Sequence, residues 1–223
     1  LTWSGSNGKS TFLNMVKTML GKRNLSVLDL KKLADRFSTV MLFGKLANIG
    51  DDISDEFLTD AAEFKKVVTG ETIDAEYKGK DKFNFEPYVK LIFSANNIPR
   101  IGKGRDSGAI LRRLVIIPFN ARFESGKSGF KPFIGDHLKG QESMEYLIQL
   151  GLQGLKRVLE NRKFTTSEKV QKELEEYEEI NNPIIGFFAE CESIENEPTS
   201  KVYREYQEYC INNSLTPMSA GEF

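Results

Sequence analysis

The segment Ser4-Gly5-Ser6-Asn7-Gly8-Lys9-Ser10-Thr11 constrains this chain more than any other stretch. Ahead of it, Leu1 to Trp3 read as the last turn of a strand. Behind it, Phe12, Leu13, Val16, Met19 and Leu20 recur at helical spacing until Gly21 stops the pattern. Strand, glycine-bearing loop and helix in that order set backbone N–H groups at a helix N-terminus. There they converge on phosphate oxygens, and the helix dipole adds positive potential. In such a loop Gly5, Ser6, Asn7, Gly8, Lys9, Ser10 and Thr11 are the nucleotide-binding positions. Lys9 reaches the β- and γ-phosphates as a fixed cation, and the Ser10 hydroxyl completes a Mg²⁺ shell. The full pattern, G-x-x-x-x-G-K-[ST], has its first glycine where this chain carries Trp3, so either the entry turn differs or Gly5 takes over its flexibility. Gly126-Lys127-Ser128 repeats the tripeptide by chance, with no strand before it. The bland alternative for Lys9 is an incidental lysine behind a helix N-cap.

The rest of the first half alternates helices with strands. A helix-like stretch follows Ser26 through Leu30 and Leu33, and Lys45 to Gly50 is a short strand ending in Asp51-Asp52. Phe57 to Val68 reads as a helix capped at Gly70. Thr72 to Tyr77 and Phe83 to Phe85 alternate around Lys78-Gly79-Lys80-Asp81-Lys82, a hairpin with glycine at its tip. Val89 to Ala95 is an apolar run bounded by Pro87 and Pro99, as in a buried strand. Arg100 to Ser107 is a glycine-rich loop, and Leu114 to Phe119 reads as a further strand. This order predicts an α/β fold with a central, mostly parallel sheet. Beyond Phe123 the texture is helical: Met144 to Leu159, Ser167 to Ile180, Pro183 to Cys191 and Val202 to Ile211. The expected division is 1–123, a linker or subdomain at 124–164, and a C-terminal region at 165–223.

Composition narrows the chemistry. A single histidine, His137, excludes a multi-histidine metal site, and two cysteines are too few for a four-thiolate zinc site or a disulfide framework. Cys191 and Cys210 are expected as reduced, apolar residues of a cytosolic protein. No apolar run approaches the ~18–20 residues of a membrane-spanning helix. The chain opens on Leu1 rather than Met, which reads as a fragment of something longer. The net charge of −1 hides an asymmetry. Lys78 to Arg113 carries nine basic against three acidic residues, and Phe164 to Ser200 ten glutamates against two lysines. A basic middle suggests contact with a polyanion; two solvated faces are the plainer reading.

Four further features carry chemistry. Asp51 and Asp52 follow a strand end, where one carboxylate would orient Mg²⁺ and its neighbour polarise an attacking water; otherwise they cap the next helix. Asn96 ends the next buried strand, within reach of a γ-phosphate or attacking water, or else it is a turn asparagine before Pro99. Arg112 and Arg113 stand at the edge of a predicted strand. They would serve an anion, such as the γ-phosphate on a neighbouring subunit, or pair with glutamates of the tail. Lys78, Lys80 and Lys82, flanked by Tyr77 and Phe83, suit single-stranded nucleic acid or a solvated turn equally.

Taken in order, Gly5 to Thr11, the strand ending in Asp51-Asp52, Val68-Thr69-Gly70-Glu71-Thr72-Ile73, Phe83-Asn84-Phe85-Glu86-Pro87, Leu91 to Pro99 and Leu111-Arg112-Arg113-Leu114 with Ile117-Pro118-Phe119 resemble the superfamily 3 helicase domain of phage and plasmid primase-helicases, the group related to the poxvirus primase-helicases. The resemblance is close over about residues 1–123. It implies an AAA+-type P-loop ATPase assembling as a hexameric ring, using ATP and Mg²⁺ to move single-stranded DNA in the 3′-to-5′ sense. Lys9 and Ser10 then match the Walker A positions, Asp51 and Asp52 the Walker B positions, with Ser10 and Asp51 on the metal. Asn96 matches sensor 1, Arg113 the arginine finger beside Arg112, and Lys78, Lys80 and Lys82 the DNA-facing hairpin. A primase domain would lie upstream, the C-terminal region would be helical or winged-helix-like, and the setting would be the cytoplasm of a bacterium carrying a phage, prophage or plasmid. The rival readings are a small-molecule P-loop kinase, or a catalytically decayed assembly or loading module marked by Trp3.

Overall fold

The computed structural model describes residues 7–35, 37–50, 62–96, 98, 110–191, 196–213, 215–221 and 223. Helix α1 (Lys9–Leu20) opens on Gly8 in the left-handed region (φ 85°) and closes on Gly21, whose N–H bonds to the Lys17 carbonyl at 3.1 Å. Its apolar spacing aims Leu13 inward. There Leu13 packs with Ala47 and Ile49, and Phe12, Val16, Leu20, Leu25 and Ile92 close around them.

Three strands lie beneath α1: β1 (Leu25–Ser26), β2 (Ala47–Gly50) and β5 (Lys90–Phe93), in the order β1-β2-β5 and all parallel. All four residues of β2 are buried, as a central parallel strand covered on both faces requires. Alternation then sorts its neighbours. Ile92 turns toward α1, whereas Leu91 and Phe93 join Leu28, Leu33, Leu42, Phe64, Val67 and Ile73 on the opposite face. That second layer comprises α2 (Ala62–Thr69) and the antiparallel hairpin of β3 (Ile73–Glu76) and β4 (Lys82–Phe85). Gly50 is required by close approach, because a Cβ there would stand 2.7 Å from the Phe93 ring.

The helix expected after Ser26 is only a 3-10 turn, Leu30–Ala34, capped by the Asp29 carboxylate accepting from Lys31 N at 3.0 Å. The reason lies in Asn48, which is fully buried. Its Oδ1 accepts from Leu28 N (2.7 Å) and Ser26 Oγ (2.8 Å), and its Nδ2 donates to Leu28 O (2.9 Å). With both polar groups of Leu28 engaged by a side chain, a helix cannot start there. The strand expected over Leu114 to Phe119 is also corrected. This segment runs without ladder pairing apart from an isolated bridge at Pro118, a residue with no N–H to give a sheet. Leu114 N instead closes a turn on Leu111 O at 3.0 Å.

The helical second half adds a one-turn helix that the sequence did not indicate, α3 (Ile134–His137), and then follows its periodicity in α4 (Gln141–Asn161), α5 (Glu168–Asn181), α6 (Pro183–Glu190) and α7 (Thr199–Asn212). Helix α4 runs beside α1 and leaves Ile148, Leu152, Leu155 and Leu159 exposed. Tyr177 and Leu174 of α5 pack on Leu111 and Ile116. Helices α6 and α7 form a second core of Phe187, Val202, Tyr206 and Cys210, onto which Met218 and Phe223 fold back. No strand occurs among the described residues from 165 onward, and both cysteines are free thiols.

Candidate functional site

Parallel pairing brings the C-terminal ends of β2 and β5 to one edge of the sheet. Gly50 stands opposite Phe93, and Ser94 N donates to Gly50 O at 3.0 Å. In open α/β sheets ligands bind beyond this edge. Here it faces the first turn of α1. Gly8 allows the chain to enter the helix through a left-handed conformation, and its carbonyl accepts from Phe12 N at 2.9 Å. Asn7 Oδ1 accepts from Lys9 N at 3.3 Å, an Asx-type turn that leads the chain into the helix.

Lys9 is only 8% exposed, although lysine usually keeps its ammonium in water. Its Nζ donates to the Ala95 carbonyl at 2.8 Å and to Asn96 Oδ1 at 3.1 Å. One cation is thus pinned between the start of α1 and the end of β5, two elements more than 80 residues apart in sequence. Ser10 is exposed on the helix N-terminus and Thr11 is half-buried.

Beside this turn lies a cavity of about 780 Å³, within the range typical of small-molecule sites. Asn7, Gly8 and Thr11 form its loop side; Phe12, Phe119 and Phe123 supply rings. Phe12 and Phe119 meet with centroids 5.8 Å apart, and a Cβ on Gly8 would come within 3.3 Å of Phe123. Glycine at position 8 is therefore favoured by its backbone angle, and a Cβ there would also crowd the neighbouring ring.

Of the residues singled out from sequence, Asn7, Lys9 and Asn96 are gathered at one point, with Gly8, Ser10 and Thr11 on the adjoining turn. Gly5, Ser6, Asp51 and Asp52 lie outside the described residues. Arg112 and Arg113 do not flank a strand. They follow the buried pair Ile110-Leu111 on a turn closed by Arg113 N donating to Ile110 O at 2.8 Å, with Arg112 exposed and Arg113 half-buried. Lys78, Lys80 and Lys82 are exposed at the hairpin tip, where Gly79 takes φ 78° and Lys80 N donates to Tyr77 O at 2.9 Å. The hairpin packs on the sheet face away from α1.

Sequence reasoning missed the Ala95 carbonyl, the Asn48 clamp and the Phe119 and Phe123 walls. A carbonyl carries no side-chain signal. The polar Asn48 within an apolar strand, and the run of Phe119, Phe123 and Phe130 at and just after the end of the last motif, were signals that could have been read.

Residues 3–113 match the profile of a family of unknown function, DUF5906. Two curated viral proteins bearing provisional helicase names are similar to the chain. One, from Acanthamoeba polyphaga mimivirus, is 31% identical over 137 residues, which is 55% of this chain and 13% of that protein. The other, from Invertebrate iridescent virus 6, is 26% identical over 135 residues, 55% of this chain and 14% of that protein. The chain thus spans only a small part of the length of these relatives. Among solved structures, the A form of the apo NrS-1 C-terminal region superposes with a TM-score of 0.53 at 15% identity, over 83% of this chain and 43% of that one, a likeness of fold.

Proposed function

We propose that this chain is the ATP-hydrolysing portion of a DNA helicase, a superfamily 3 motor of AAA+ type that works as a hexameric ring. The observation that carries the reading is the Lys9 ammonium held at the helix N-terminus and tied to Asn96 across the C-terminal edge of a parallel sheet. The likeness to two helicase-named viral proteins supports it, as does the shared fold with the NrS-1 C-terminal region.

In this reading the triphosphate lies along the first turn of α1, and the aromatic cavity beside Gly8 takes the base. Lys9 exchanges its contacts with Ala95 and Asn96 for phosphate oxygens. Ser10 and Asp51 would hold Mg²⁺, which supplies charge neutralisation at the β- and γ-phosphates; a hydroxyl and a carboxylate are the hard oxygen donors such a cation takes. Asp52 accepts a proton from the attacking water as the bond from the bridging oxygen to the γ-phosphorus breaks. Asn96 orients that water, and Arg113 of an adjacent subunit meets the charge developing on the transferred group. Residues 1–123 form the motor core, 124–164 a helical connector and 165–223 a C-terminal module. Lys78, Lys80 and Lys82 grip single-stranded DNA, and a primase would precede the motor.

The test is ATP turnover with and without single-stranded DNA, in wild type and in Lys9→Ala. DNA-stimulated hydrolysis lost in Lys9→Ala supports the proposal. Hydrolysis indifferent to DNA points to a small-molecule kinase, and turnover unaltered by the substitution removes Lys9 from the chemistry.

A further inference from the structure

Phe43 lies outside every motif described above, yet the fold holds it beside the hairpin. It follows the 3-10 turn Thr39–Leu42, which is anchored by buried Leu42 and tied to β3 by Thr39 Oγ1 donating to Asp74 O at 3.0 Å. Phe43 N closes on Val40 O at 3.1 Å, and Gly44, at φ 69°, turns the chain away. The ring meets Phe83 at 5.1 Å and Phe85 at 5.2 Å between centroids, both edge to face. Despite two aromatic neighbours and a fixed backbone it stays 50% exposed.

Register extends this surface. Ile73, Ala75, Phe83 and Phe85 share one face of the hairpin, and Tyr77 continues it, stacked on Phe83 at 5.9 Å and 46% exposed. Lys80 Nζ lies 5.5 Å from the Tyr77 centroid and Lys78 is exposed in the same turn, whereas Lys82 stands opposite Glu76 in the register, on the other face of the hairpin. Exposed rings and the Lys80 ammonium therefore stand side by side at this end of the hairpin. Burying a purely apolar partner here would strand the Lys80 ammonium, whereas a polyanion with stacking faces satisfies both kinds of group.

We infer that Phe43 is a base-stacking residue, which together with Tyr77 forms a platform for unpaired bases while Lys80 and its neighbours track the phosphates. The inference rests on the nucleic-acid reading of the hairpin and adds a contact from a separate part of the chain. Stacking tolerates any base, so the platform grips single strands without choosing sequence.

Fluorescence anisotropy with a labelled oligothymidylate and an abasic strand of equal length, across a salt series, tests it. Wild type should bind the base-bearing strand more tightly. Phe43→Leu, which keeps the apolar packing but removes the ring, should weaken that strand by about tenfold. It should leave the abasic strand and the salt dependence unchanged. Lys80→Ala should weaken both strands and lower the salt slope by about one. Phe43→Ala serves as a second variant, with thermal melts checking that both fold. Unchanged discrimination in Phe43→Leu overturns the inference while leaving the hairpin lysines in place. Equal losses on both strands overturn it too, as does loss of self-association with DNA affinity intact, which would make the patch a protein interface. If wild type binds neither strand, the nucleic-acid reading itself falls.

Discussion

The Lys9 ammonium donates to Asn96 Oδ1 at 3.1 Å across 87 residues of sequence, joining the first turn of α1 to the end of β5. Two of its partners, a carbonyl and an amide oxygen, are neutral groups that a phosphate can displace. Asn96→Ala leaves the Ala95 carbonyl in place, so nucleotide affinity should change by less than about threefold while turnover drops by roughly 10²-fold, the usual effect of losing a positioned polar group. Asn96→Asp places a carboxylate beside the ammonium, which should compete with phosphate and weaken binding about tenfold. Titration with a fluorescent nucleotide and steady-state turnover separate the two effects. Normal hydrolysis in Asn96→Ala would strip Asn96 of its role.

Arg113 sits half-buried on a turn held by the buried pair Ile110-Leu111, and the proposed reading gives it the arginine-finger role. Turnover per subunit should rise with protein concentration, and Arg113→Ala should lose about 10³-fold in rate with binding preserved. Mixing inactive Arg113→Ala with inactive Lys9→Ala should restore measurable hydrolysis, because each supplies what the other lacks. A mixture as inert as its components would rule out action between subunits.

Asn48 satisfies Leu28 N, Leu28 O and the Ser26 hydroxyl from a fully buried position. Asn48→Leu removes three hydrogen bonds and leaves two backbone groups without partners in the core, a cost of about 3 kcal/mol. For a chain of this size that is a fall in Tm of roughly 6–12 °C, readable by calorimetry. A change under about 1 °C would mean that water enters and replaces the amide.

Burial pushes the Tyr206 phenol up to about 12; its oxygen accepts from Met218 N at 3.1 Å. The folded state then favours the neutral phenol, so its contribution is complete below pH 10. Stability should fall by about 1.4 kcal/mol per pH unit between pH 10 and 12 as only the unfolded chain ionises. Burial also raises the Cys210 thiol, which adds loss of the same sign from near pH 9. Urea unfolding at pH 8.5, 10 and 11 should show the slope in wild type and a shallower one in Tyr206→Phe. Parallel slopes would place the loss elsewhere.

Much of the fold is legible residue by residue. Gly21 and Gly70 stop helices where the apolar period ends, both with positive φ. The hairpin arises from alternation on either side of Gly79, and four C-terminal helices fall within a few residues of their periodic runs. The two errors share a cause. The stretch after Ser26 and the stretch from Leu114 to Phe119 have the local texture of a helix and a strand. The first is prevented by Asn48, 20 residues away, and the second by a sheet that offers Pro118 no ladder.

The same division runs through the site. The order of glycine, lysine and hydroxyl residues ahead of an apolar-periodic helix is a local property, and periodicity with backbone sterics suffices to place Lys9 at a helix N-terminus. Its burial, its bond to Asn96, the aromatic wall over Gly8 and the seating of Phe43 against the hairpin are contacts between distant segments. They depend on which strand ends share an edge and which side chains meet there. Sequence spacing encodes the direction of each chain segment, but only packing of the segments into one core determines what those directions converge on.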